Sequence, residues 1–182
     1  MRRAVLNVSP PRKPGDFRMN DAFEFRLEIL KKELDAIDSS VRKIDDIGNS
    51  TKNWAILTWT GSVAIILTKP QLYPYVIFTA IPPILFMFAD AHWRKIQRRF
   101  FYRQGQISDF LNSKKLEEAY ERQELSFRIL DPIARNAKNR PDFERFISIS
   151  KILTFPTVSL VYAGLSGVSI VLSLLLYFLP PA

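Results

Sequence analysis

The chain has 182 residues, 47% hydrophobic and 24% charged, and its 26 lysines and arginines outnumber 18 acids for a net charge of +8. With no cysteine and one histidine, it excludes a disulfide framework, a thiol nucleophile and a multi-histidine metal site. No phosphate-binding loop, dinucleotide fingerprint, nucleophile elbow or zincin helix occurs, so no cofactor, metal or catalytic residue is expected and the chain does not read as an enzyme.

The averages conceal an uneven distribution. Residues 53–68, 70–89 and 152–182 form runs of 16, 20 and 31 residues without a charge. Runs of this length argue for membrane-spanning helices rather than core helices. The expected fold is an all-α integral membrane protein. It has a transmembrane helical hairpin (51–89), a third, C-terminal span (152–182) and cytoplasmic amphipathic or coiled-coil helices.

In chain order, residues 1–19 are a basic tail with Pro10, Pro11 and Pro14, too poor in apolar residues to fold alone. Over 20–48 the pattern changes to a heptad seam. Phe23, Leu27, Leu30, Leu34, Ile37, Val41 and Ile44 follow one another at intervals of four and three. Asn20 or Asp21 is suited to cap this helix, and Gly48 to end it. The seam serves either self-association or packing onto the chain's own cytoplasmic helices.

The first span runs over 53–68 and covers roughly 24 Å, short of the ~30 Å hydrocarbon core. It therefore recruits residues near Thr51 or thins the bilayer. A tight turn at Lys69-Pro70 leads into the second span, which Pro82-Pro83 should kink. The following helix can run on into the cytoplasm through Ile96, Phe100, Ile107 and Leu111. Residues 116–130 read as a further amphipathic helix, and 142–151 as a short one leading to the last span. Phe155-Pro156 breaks or kinks the start of that span.

The basic residues set the orientation. Arg94, Lys95, Arg98, Arg99 and Arg103 follow the second run directly and place its end in the cytoplasm. The N-terminus is then inside and the C-terminus outside. Trp54 and Trp93 mark the inner interface, Tyr73 and Tyr75 the outer one. Asp90, His92, Arg94, Arg98 and Arg99 form a collar where the second helix meets water. Asp90 and His92 stand two residues apart and do not face each other on a helix, which argues against a catalytic dyad. The positive charge sits where orientation and anionic headgroups require it, so the lipid bilayer is the expected partner and direct nucleic-acid binding is not.

The last span carries serines near one face, at Ser159, Ser166, Ser169 and Ser173. Such hydroxyls bond to the preceding turn or to a neighbouring helix. Alternatively they line a polar path between several copies, since one chain's three spans cannot enclose a channel.

The succession of a cytoplasmic helix, the Lys52-Asn53-Trp54 start of the first span, a tight two-span hairpin and a long cytoplasmic helix occupies 23–110. In this layout the chain resembles the small membrane effectors of bacterial anti-phage systems, namely the SLATT-type effectors and those coupled to retrons. The third span departs from a two-span plan. The resemblance implies an inner-membrane homo-oligomer that permeabilises or depolarises the membrane when a partner senses infection, causing abortive infection. That partner would be a reverse transcriptase with its non-coding RNA, or a nucleotidyltransferase. The alternative is a membrane-anchored scaffold whose cytoplasmic helices recruit another protein.

Overall fold

The computed structural model describes residues 19–125 and 128–178. The proposed basic tail, Met19 apart, and the end of the last span at 179–182 lie outside the described residues. Every regular element among the described residues is helical.

Helix α1, Met19–Leu67, is 49 residues long and extends about 74 Å. It joins the heptad segment to the first apolar run without a break. The expected stop at Gly48 does not occur. A glycine inside a helix costs only about 1 kcal/mol relative to alanine, and flanking contacts outweigh that. Gly48 instead admits a close neighbour: a Cβ there would lie 3.2 Å from Asp90 Oδ1 and 3.3 Å from Arg94 Nη2.

A turn at Thr68-Lys69 leads to a tightly wound 3₁₀ segment, Pro70–Ala80. Helix α2, Ile81–Leu111, follows with Pro82 and Pro83 in its first turn, where the missing N–H groups break no helical bond. The change from 3₁₀ to α winding thus takes the place of the expected kink. As expected, α2 continues well past Ala89.

Helix α3, Lys115–Arg122, is shorter than the expected 116–130, because Gln123 adopts φ 55° and ends it. The short helices α4, Pro141–Phe146, and α5, Ile149–Leu153, replace the single helix expected over 142–151. Helix α6, Pro156–Phe178, begins at the proline that ends the preceding segment. Its 23 residues give about 34 Å, enough to cross a hydrocarbon core of ~30 Å.

Helix α2 returns antiparallel along α1. Phe23, Leu30 and Ile37 are buried against Ile107 and Phe110, with Leu27, Leu34, Val41 and Phe100 at the margins. Ala119 of α3 closes the end of this core, and Tyr120 meets the Phe23 ring edge-on at 5.2 Å. The heptad seam is therefore packed against the chain's own helices, which is the second of its two expected roles. Each such side chain stabilises the hairpin by about 1.5–3 kcal/mol.

At the other end, the apolar part of α1, the 3₁₀ segment and α6 pack together. Two helical stretches, Pro70–Leu111 and Pro141–Phe178, are long and apolar enough to cross a membrane. Only 22% and 17% of their most apolar windows are buried, unlike the core helices of a water-soluble protein. Leu57, Ile65, Phe78, Leu85, Leu160, Val171 and Leu175 all stand exposed.

Gly48 and Gly105 predict opposite outcomes. Gly105 has open space around its Cβ position, so Gly105→Ala should stabilise the α1–α2 hairpin by about 0.5–1 kcal/mol. Gly48→Val should destabilise by about 1–3 kcal/mol through overpacking against Asp90 and Arg94. Thermal unfolding in detergent micelles checks both signs.

Candidate functional site

Three polar nodes occur along the helix pairs, and the middle one lies where the charged and apolar regions meet. Its residues come from three helices. α1 supplies Asp45, Gly48 and Lys52, α2 supplies Asp90, Arg94 and Gln97, and α6 supplies Tyr162.

Asp90 is 0% exposed. The Tyr162 hydroxyl donates to Asp90 Oδ2 at 3.2 Å. Lys52 Nζ stands 4.0 Å from Oδ2, and Arg94 Nε 3.8 Å from Oδ1. Both separations exceed hydrogen-bond range, and neither Oδ1 nor Arg94 Nε has a hydrogen-bond partner. Arg94 is held more firmly elsewhere. Its Nη1 donates to Asp45 Oδ1 at 2.6 Å and to Gln97 Oε1 at 2.7 Å, while Gln97 Nε2 donates to the same Asp45 oxygen at 3.0 Å. Desolvation acts to raise the Asp45 pKa, but the hydrogen bonds from Gln97 and Arg94 prevail and lower it below the ordinary carboxylate value.

The five collar residues do not form one ring. Asp90 and Arg94 face α1 and α6, whereas His92 is exposed beside Trp93. Arg98 turns toward the other side of α2. Its Nε donates to the Phe146 carbonyl at the end of α4, and its guanidinium lies 3.9 Å from the centre of the Phe146 ring and 5.1 Å from that of Phe155. Arg99 is half-buried.

The second node joins α1, the 3₁₀ segment and α6. Ser169 is 0% exposed. Its hydroxyl accepts from Trp59 Nε1 at 2.8 Å and lies 3.1 Å from the Leu165 carbonyl and 2.9 Å from Thr79 Oγ1. Ser166 reaches the Ala80 carbonyl at 3.4 Å, and Ser159 bonds to Phe155 O in its own helix. Ser173 is half-buried. The bonds of Ser159, Ser166 and Ser169 thus fasten α6 to itself and to its neighbours. In this arrangement they do not line a polar path.

The third node lies in the charged half of the α1–α2 hairpin. Glu33 and Arg103 are each 4% exposed. Arg103 Nε and Nη2 donate to the two Glu33 oxygens at 2.8 and 3.3 Å. Glu33 also accepts the Leu130 and Asp131 amides, and Arg103 Nη2 donates to Arg128 O. Asp131 in turn accepts the Arg135 and Asn136 amides at 2.7 and 3.0 Å. These bonds hold a loop in which Leu130 and Ala134 adopt φ of 61° and 50°, each a strained choice for a non-glycine residue.

Sequence reasoning passed over Glu33 and Tyr162, and read Arg103 only as an orienting charge and Lys52 only as part of the start of the first span. A signal existed for two of them. Glu33 lies three residues after Leu30 and four before Ile37, and Arg103 lies three after Phe100 and four before Ile107. A charge at such spacing lies on the apolar face of its helix. Nothing local marks Lys52 or Tyr162.

Among the described residues no group of acids and histidine is arranged to hold a metal. The nodes join helices to one another.

Removing one member of the buried pair should be costly. Glu33→Met should lower stability by about 3–5 kcal/mol, since it leaves Arg103 charged and buried. The double variant Glu33→Met with Arg103→Met should remain destabilised by about 2 kcal/mol or more, because the Leu130 and Asp131 amides lose their acceptor. Denaturant unfolding of the four-member cycle checks this. Full recovery in the double variant would reduce the node to a simple ion pair.

No family model, characterised protein or solved structure matches the chain, so the likeness to anti-phage membrane effectors rests on the order of its segments.

Proposed function

We propose that the chain is a membrane effector whose cytoplasmic helices govern its membrane helices, and that on activation it permeabilises or depolarises the bilayer. The observation that carries this reading is continuity. Helices α1 and α2 both pass from the cytoplasmic hairpin into the apolar bundle without a joint. A passive anchor needs one apolar helix and a flexible link. Two stiff helices, tied across their junction, transmit a displacement at one end to the other.

The packing describes a closed form. The seam and the bonded serines are occupied within one chain, so permeation requires rearrangement and several copies. These copies would meet through the exposed apolar faces of α2 and α6. The sequence layout supports anti-phage defence as the setting, with a reverse transcriptase–RNA complex or a nucleotidyltransferase as the sensor, in a bacterial inner membrane.

The proposed topology has three spans: the end of α1, residues 70–89 and α6. The shortness of the first is offset by its packing against the other two. The N-terminus is cytoplasmic. Reporter fusions at Gly15 and Ala182 should then report opposite sides. Signals from the same side would leave two spans, with the end of α1 at the interface.

The second reading is a membrane-anchored scaffold. It is favoured by the same internal occupation of seam and serines, which leaves the charged outer face of α1 (Lys31, Asp35, Asp38, Arg42) for a partner. Induced expression with a potential-sensitive dye separates the two. The effector should collapse the membrane potential and arrest growth. An intact potential in cells that insert the protein and carry its trigger would leave the scaffold.

A further inference from the structure

We infer that the Asp90 cluster is a charge latch that fastens the start of α6 to the α1–α2 pair and can release it while the pair stays closed. The inference rests on the effector reading for its purpose, and on geometry for its existence.

The latch is incomplete by construction. A buried carboxylate needs its oxygens satisfied, and an unsatisfied one costs several kcal/mol. Asp90 has one neutral donor from Tyr162, two cations beyond hydrogen-bond range and an unpartnered Oδ1. Lys52, with a side chain only 18% exposed, has Asp90 as its ion partner. Gly48 leaves the space that lets these groups meet, since a Cβ there would crowd both Asp90 and Arg94.

The bonds are also unequal between helices. α1 and α2 hold each other through Asp45, Arg94 and Gln97, and again through Glu33 and Arg103. These ties do not involve Asp90. The N-terminal half of α6 is tied to the junction through Tyr162 and Asp90, with apolar packing of Val158 beside Ala91 and Ile152. Loss of the Asp90 contact therefore frees the start of α6 first. Arg94 retains Asp45 and Gln97, so the hairpin has no reason to open with it.

The test uses the full chain in nanodiscs of phosphatidylethanolamine and phosphatidylglycerol, with backbone hydrogen exchange as the readout. Tyr162→Phe removes one hydroxyl and keeps the ring. Asp90→Ala removes the carboxylate without adding volume to the crowded site. Both should raise exchange over residues 156–163 at least tenfold, with residues 27–41 of the seam unchanged. Unchanged exchange at 156–163 in both variants would overturn the latch. So would a rise throughout the chain in both, which would make the cluster general structural glue. Membrane potential is recorded separately. Freed α6 with an intact potential in cells that carry the trigger upholds the latch and removes the effector reading, while unaltered exchange removes the latch whatever the potential does.

Discussion

Two helices that leave an apolar layer side by side must bury their facing surfaces in two different solvents. In water, apolar contact holds them together; in lipid it gives little drive, because the alternative surroundings are equally apolar. The chain changes its mode of adhesion at the boundary. Below it, Phe23, Leu30 and Ile37 pack against Ile107 and Phe110. Above it, Trp59, Thr79 and Ser169 supply directional bonds. At the boundary itself, the partly exposed Lys52 and Arg94 approach the buried Asp90 carboxylate.

Each region constrains the next through α1. The seam fixes the rotation of α1 about its axis. That rotation brings Gly48 under Asp90, places Lys52 beside it and carries Trp59 to Ser169. On the proposed reading, with no break in α1 between these positions, a change at the hairpin would alter the alignment of the apolar bundle. The loop at Leu130 and Asp131 is bound into the same frame, since Glu33 on α1 accepts both amides. This connectedness supports a governed membrane element over a tethered one.

The legible parts of the fold were those written in local pattern. Charge-free runs marked the apolar stretches, heptad spacing marked the buried face of α1, and Pro156 marked the start of α6. Gly48 misled because its local preference for a helix end is worth about 1 kcal/mol, less than the contacts on either side. The extent of α3 was overestimated for the converse reason. Residues 123–130 have helical composition, but Gln123 turns left-handed and the Leu130 and Asp131 amides are held by Glu33, which lies far away in sequence. The seam was legible as an apolar stripe, yet its partner was not. Periodicity reports that a face is buried and not whether the covering helix belongs to the same chain. The serines and Asp90 were visible as residues, while Tyr162 and Lys52 became meaningful only once α1, α2 and α6 met.

The continuity of α1 is the claim on which the mechanical reading stands, and a distance across Gly48 measures it most directly. The chain has no cysteine, so Glu24→Cys and Thr60→Cys would carry the only two spin labels. Both positions are exposed and lie 36 residues apart, ten full turns on one face. In nanodiscs, pulsed electron resonance should give a narrow distribution centred near 54 Å if α1 is one straight helix. A broad distribution, or a centre below about 45 Å, would place a joint at Gly48 and contradict rigid coupling between the hairpin and the bundle.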